Sequence, residues 1–136
     1  MACAFCSIIA GDLPAARVLE DEHHVAFLDT RPLFCGHVLL VPRAHVETLP
    51  DLSPEAVGPY FLAAQRLSVA VRDAMEATGT FVAMNNVVSQ SVPHLHCHVV
   101  PRRFKDGLRG FFWPRTTYAS DEEREAVAAR IRAALG

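Results

Sequence analysis

Nine residues constrain this chain more than any others: Pro93-His94-Leu95-His96-Cys97-His98-Val99-Val100-Pro101. Histidine and apolar side chains alternate along them. In an extended strand, alternate side chains share a face. His94, His96 and His98 then line one face, with neighbours about 6–7 Å apart. Leu95, Cys97 and Val99 turn to the other, toward a core. A lone histidine in a strand is ordinarily a hydrogen-bonded, half-exposed residue, as we read His23 and His24. Three in register are costly as packing and point to chemistry. Two chemistries fit. Neutral imidazoles can ligate a catalytic metal with water in its open position. Alternatively, one imidazole attacks phosphorus while the others bind phosphate and set its tautomer.

The rest of the chain reads as strands and helices around this segment. Val25-Ala26-Phe27-Leu28 follows the polar turn Asp21-Glu22-His23-His24 and predicts a buried strand. The loop Thr30 to Gly36 leads to a second strand, His37 to Val41, stopped by Pro42. Ser53-Pro54-Glu55 opens a helix with an N-cap serine, proline at the first position and an acid at the positive dipole end. Val57, Tyr60, Phe61, Ala64, Leu67, Val71 and Met75 give it one apolar face, closed near Thr78-Gly79. Pro59 falls early in it, where a kink or a delayed start is expected. Phe81 to Met84 is a third strand, Asn85 to Ser91 a polar loop, and Leu95 to Val100 a strand ended by Pro101. Ser120-Asp121-Glu122-Glu123 is a capping box opening a C-terminal helix with Val127, Ile131 and Leu135 inside. Short turns between early strands favour antiparallel pairing. The expected class is α+β: an antiparallel sheet of about five strands, one long helix and a C-terminal helix. We expect a single domain over 1–136, with its core in about 1–103 and an extension over 104–136.

Composition narrows the setting. Apolar residues make up 51% and charged residues 21%, as in globular proteins. A formal charge of -2 gives no whole-surface attraction for nucleic acid or anionic membrane. No basic run precedes a long apolar stretch, and no window spans a bilayer, so the cytoplasm is the expected compartment. Of the cysteines, Cys3, Cys6, Cys35 and Cys97, we expect metal binding or free thiols rather than disulfides.

The run His-φ-His-φ-His-φ-φ, with φ apolar and Cys97 counted so, is the signature of the histidine triad (HIT) superfamily. Other segments resemble bacterial members in the family's order: Cys3 to Gly11, Ala26-Phe27-Leu28-Asp29, Gly36 to His45, Asn85-Asn86 and Gln90-Ser91-Val92. The resemblance covers roughly residues 1–103. It implies a nucleotidyl hydrolase that releases a nucleoside monophosphate from nucleoside phosphoramidates or dinucleoside polyphosphates. His96 would attack the α-phosphate and form a nucleotidyl-imidazole intermediate, which water then resolves. The main-chain carbonyl of His94 would orient His96. His98 would hold phosphate oxygens and pass a proton to the leaving group.

The same resemblance places Asp29 on the ribose hydroxyls, His37 beside the site, and Asn85, Gln90 and Ser91 at the phosphate. Phe5, Ile8, Phe27 and Leu39 become candidates for a slot holding the base, which we take to be adenine. It also implies a structural zinc held by Cys3, Cys6, His45 and His94, and a homodimer formed through the long helix and a sheet edge. Cys35 and Cys97 are read as free thiols. Three features depart from the family. Ser89 stands where many relatives have glycine before the glutamine. Cys35 replaces a common proline. Lys105 to Arg115 has no assigned counterpart. Residues 101–118 hold five of the thirteen basic side chains, interleaved with Phe111, Phe112 and Trp113. They suit a polyphosphate tail, a second base or single-stranded nucleic acid, or form a solvated loop. A nucleotide-binding or sensing module, a phosphorylase and a hydrolase with a catalytic metal are the alternative functions.

Overall fold

The alternation of buried and exposed residues builds a five-stranded sheet. A computed structural model describes residues 3–108 and 115–136. Its strands are β1 (Arg17–Glu20), β2 (His24–Leu28), β3 (Val38–Pro42), β4 (Gly79–Ala83) and β5 (Cys97–Arg102). They pair antiparallel throughout, in the order β1-β2-β3-β5-β4. Helices α1 (Ala4–Ala10), α2 (Pro54–Ala74) and α3 (Asp121–Leu135), with a 3-10 turn at Leu49–Asp51, complete the chain. This is the α+β class expected from the sequence.

Some strand bounds differ from the expectation: β4 runs from Gly79 to Ala83 rather than from Phe81 to Met84. β3 ends at Pro42, as expected, whereas Pro101 lies inside β5, which runs on to Arg102. Only Cys97 to Val99 of β5 pair with β3, so one side of the strand at Pro101 needs no amide donor. β5 also starts two residues late. His94 to His96 form its lead-in, tied by the Leu95 amide to the Val46 carbonyl at 2.7 Å. The alternation survives this shift. Leu95, Cys97 and Val99 join Ala26, Val38 and Leu40 on the sheet face covered by α2.

Helix α2 turns Tyr60, Ala63, Ala64, Leu67 and Val71 inward, and the Tyr60 hydroxyl donates to the Leu40 carbonyl at 2.9 Å. Phe61, expected on that face, is 41% exposed, with Ala63 buried instead. The helix runs continuously through Pro59. Ser53 occupies the N-cap without a side-chain capping bond.

The opposite sheet face carries Phe27, Val25, Leu39 and Val41, with Phe5 of α1 against them. The sequence reading missed α1 and β1. Helix α1 is the shortest α-helix among the described residues, capped by the Cys3 sulfur at one end and by left-handed Gly11 at the other.

The described chain divides into two compact units, Met1–Asp106 and Gly107–Gly136. The second holds α3. Its capping geometry is present: Ser120 Oγ accepts from the Glu123 amide, and the Glu123 carboxylate accepts from the Ala119 amide. Its expected inner stripe is not buried, since Ile131 and Leu135 are exposed. Among the described residues, no helix is long and apolar enough to cross a membrane.

Candidate functional site

Strand register assembles the site. Phe27 pairs with Leu39, Leu39 with His98, and His98 with Ala83, a row across four strands. His96 precedes His98 by two residues on the same face, and their rings lie 5.0 Å apart. Phe5 sets its ring edge-to-face against His96, at 5.0 Å and 83°.

The hydrogen bonds settle where the protons sit. His96 Nδ1 lies 2.7 Å from the His94 carbonyl, a contact that requires Nδ1–H. The neutral ring then has its lone pair on Nε2. His37 Nδ1 accepts from the Leu33 amide at 3.1 Å, so its Nε2 carries the hydrogen. That hydrogen faces His98 Nδ1 at 3.0 Å. His98 therefore presents Nε2–H.

Charge follows burial. His98 is pushed down to about 4 by burial first, then by His96 and His37, against the opposing pull of Asp29. Burial likewise lowers His37 in spite of Asp29. Both are neutral near pH 7. Asp29 Oδ2 lies 3.7 Å from His37 Nε2, while Oδ1 accepts from the Arg31 amide at 2.9 Å. One carboxylate thus shapes the loop and borders the site.

A second cluster abuts the triad. His94 Nε2 donates to the Pro42 carbonyl at 2.8 Å, which leaves Nδ1 as a lone pair. This Nδ1 lies 3.5 Å from Cys3 Sγ, 3.6 Å from Cys6 Sγ and 3.2 Å from His45 Nδ1. Cys6 Sγ and His45 Nδ1 are 3.3 Å apart. Tetrahedral zinc with these ligands has edges of about 3.3 Å between nitrogens and about 3.5 Å between nitrogen and sulfur. The four side chains form a possible metal-binding group. The bond from His94 Nε2 to the Pro42 carbonyl is the kind that fixes the ring orientation of a metal ligand.

Comparison with known proteins identifies the family. The HIT domain profile matches residues 10–105. The chain belongs to the histidine triad family. The protein named hit of Bacillus subtilis is 41% identical over 90% of this chain and 85% of its own length. An adenosine 5'-monophosphoramidase of Schizosaccharomyces pombe is 27% identical over 97% of this chain and all of its own. An adenylylsulfatase of Arabidopsis thaliana is 33% identical over 78% of this chain and 55% of its own. Among solved structures, a HIT family member from Bacillus subtilis superposes with a TM-score of 0.89 at 37% identity, covering 100% of this chain and 99% of that one. A zinc-bound histidine triad family protein from Mycobacterium smegmatis gives 0.75 at 37% identity, covering 98% of each.

In this histidine triad protein, the other sequence-derived candidates divide. Phe5, Phe27 and Leu39 are buried together and Ile8 packs against them, so the slot residues are neighbours. The loop before the triad is bound to itself and to the stretch after β3. Asn85 Nδ2 donates to the Ser89 carbonyl at 3.3 Å. Gln90 accepts from the Val87 amide at 2.9 Å and donates to the Glu47 carbonyl at 2.6 Å. Ser91 is exposed at the end of this loop. Ser89 adopts φ 62° and Val87 φ 71°, so the backbone takes the left-handed path without glycine.

Of the four cysteines, all free, Cys35 is exposed and Cys97 buried, its thiol pushed up to about 11 by that burial. In the basic segment, Arg102 pairs with Asp106 at 2.6 Å, and Arg103 donates to the Met75 carbonyl. Residues 109–114, with Phe111, Phe112 and Trp113, lie outside the described residues. The sequence reading missed one member of the site, the Leu33 amide. A backbone N–H leaves no residue-type signal.

Proposed function

We propose that this protein is a nucleotidyl hydrolase acting at the α-phosphate of nucleoside phosphoramidates or dinucleoside polyphosphates. The observation that carries the reading is the 2.7 Å bond from His96 Nδ1 to the His94 carbonyl, which turns the Nε2 lone pair into the nucleophile. A neutral imidazole needs no further activation near pH 7.

His96 Nε2 attacks the α-phosphorus and an N–P bond forms. The bond to the leaving group breaks, and its electron pair departs with that group. His98 Nε2–H donates to an oxygen on phosphorus or to the departing atom, where negative charge grows. Water then attacks the same phosphorus, the N–P bond breaks, and His96 is restored. The net reaction adds one water and yields a nucleoside monophosphate and the protonated leaving group. Asp29 suits the ribose hydroxyls, and Phe5, Phe27, Leu39 and Ile8 suit the base. The names of the phosphoramidase and adenylylsulfatase relatives support adenosine as the nucleoside.

Cys3, Cys6, His45 and His94 suit a structural zinc. Closed by four protein ligands, the metal would tie α1 to the lead-in of β5 without taking part in the chemistry. The resemblance also supports a homodimer. Exposed Phe61, Leu62 and Val69 of α2, with Val82 of β4, are the apolar surface such pairing would cover.

The test is turnover of an adenosine phosphoramidate and of diadenosine polyphosphates by the wild type and by His96→Ala. The variant is expected to stay folded and lose at least about a thousandfold in kcat/KM. Wild-type rates in a folded His96→Ala protein would remove the nucleophile assignment and the reading with it. Nucleotide binding without monophosphate release by the wild type would favour a binding module.

A further inference from the structure

We infer that the backbone N–H of Leu33 is a positioning group for the reaction, fixing through His37 which nitrogen of His98 carries the proton. The inference deepens the hydrolase reading and rests on it. The chain of contacts is short and directional. Leu33 N–H donates to His37 Nδ1 at 3.1 Å, and His37 Nε2 meets His98 Nδ1 at 3.0 Å. An amide nitrogen donates and cannot accept, so the chain has one polarity. Reversing it would set N–H against N–H at His37, inside a buried ring environment where a lost hydrogen bond is not replaced by water. The forward polarity leaves Nε2–H of His98 directed away from His37. The reverse would offer a lone pair to an anionic phosphate.

The loop is built to hold that amide. Asp29 Oδ1 caps the Arg31 amide at 2.9 Å, and the Asp29 amide donates to the His37 carbonyl at 2.9 Å. The His37 amide donates to the Phe34 carbonyl at 3.1 Å. Gly36 sits at φ 94°, and a Cβ there would lie 2.5 Å from Met75 Cγ. The Leu33 side chain is half exposed, so the position acts through its backbone. Any residue but proline supplies the same donor.

Two consequences follow. An amide hydrogen is not given up near neutral pH, so the chain holds a donor in place and does not feed protons to His98. Asp29, His37 and His98 also bring three potential metal-ligand atoms within 4.8 Å of one another. With Nε2 of His37 protonated, that group lacks one of its lone pairs, so a metal there would have to reverse the His37 tautomer against the Leu33 amide.

The experiment replaces Leu33 by its α-hydroxy acid, so that an ester oxygen stands in for the N–H. The control makes the same exchange at Phe34, whose amide the chain does not use. Histidine-labelled 15N spectra report each tautomer without substrate, and steady-state kinetics report kcat and KM. In the wild type, His37 and His98 are expected as single Nε2–H tautomers. The Leu33 ester should show mixed tautomers at both rings and a kcat lower by about tenfold, with KM little changed. The Phe34 ester should match the wild type. A wild-type His37 with Nδ1–H overturns the inference even if the ester protein fails to fold. So does a folded Leu33 ester with wild-type tautomers and kcat. Because the tautomer is read without turnover, a His96→Ala protein that keeps its rate refutes the hydrolase reading separately.

Discussion

His98 is held neutral chiefly by burial, and its titration is a statement about stability. The folded state lowers it to about 4, against about 6.5 in an unfolded chain. Above pH 6.5 neither state binds the proton and the shift has no effect. As pH falls below 6.5, the unfolded chain takes up a proton that the folded chain refuses, and stability declines until about pH 4. By pH 5 this residue should remove about 2 kcal/mol. Urea unfolding at pH 7 and pH 5 checks it in the wild type and in His98→Asn. The variant should lose about 2 kcal/mol less than the wild type between the two pH values. Other groups that titrate in this range are common to both proteins and cancel in the difference. Equal losses would mean that His98 is not the group responsible. The shared face of the three histidines was legible in the sequence, because alternation belongs to the chain itself. The protonation of each nitrogen was not. It depends on His37, 61 residues before His98, and on an amide that any residue but proline could provide.

Elements with a long period or a strong punctuation were legible, and short ones were not. Helix α2 declared itself through its repeat, and β2 and β3 through apolar runs flanked by turn residues. Helix α1 spans seven residues, too few for a periodic signal, and is capped by a cysteine sulfur. The loop from Asn85 to Ser91 was legible as a loop but not as a strained one. Val87 and Ser89 occupy the left-handed region, where an L-residue costs about 1–2 kcal/mol. Val87 is largely exposed and has little packing to lose. Val87→Gly should therefore stabilise the protein by about 1 kcal/mol after the added freedom of the unfolded chain is subtracted. Ser89→Gly should act in the same direction. Thermal melts check both, and no rise in Tm for either would show that the strain is relieved in solution. If Tm rises while kcat falls, the strain serves the phosphate-facing loop. Gly36 carries the opposite prediction. Gly36→Ala combines a positive φ with a Cβ driven into Met75, and should destabilise by more than about 1 kcal/mol.

At the scale of the molecule, the Cys3, Cys6, His45 and His94 cluster joins three segments that the chain keeps far apart. It links the start of α1, the stretch after β3 and the lead-in of β5. A bound metal would cross-link these in the folded chain only, so its binding free energy would add to the stability of that state. Helix α1 would feel its loss most, and α1 carries the Phe5 ring that packs on His96. The sheet and α2 keep their own core, which contains none of the four cluster side chains. Chelation should therefore lower stability without dissolving the fold. At free zinc about a hundredfold above its dissociation constant, the linkage is worth about 2.7 kcal/mol, or about 10 °C in Tm for a chain of this size. Calorimetry with and without chelator, paired with turnover measured well below the lower Tm, separates two roles for the metal. A structural ion predicts a lower Tm with turnover kept within severalfold, the residual loss tracing to a loosened Phe5. Phe5→Ala with its zinc intact should then reproduce that loss. A metal acting on the triad itself predicts turnover abolished in protein that is still folded, and restored when the ion returns. That outcome would move His96 from nucleophile to ligand, and with it the chemistry assigned to the whole face.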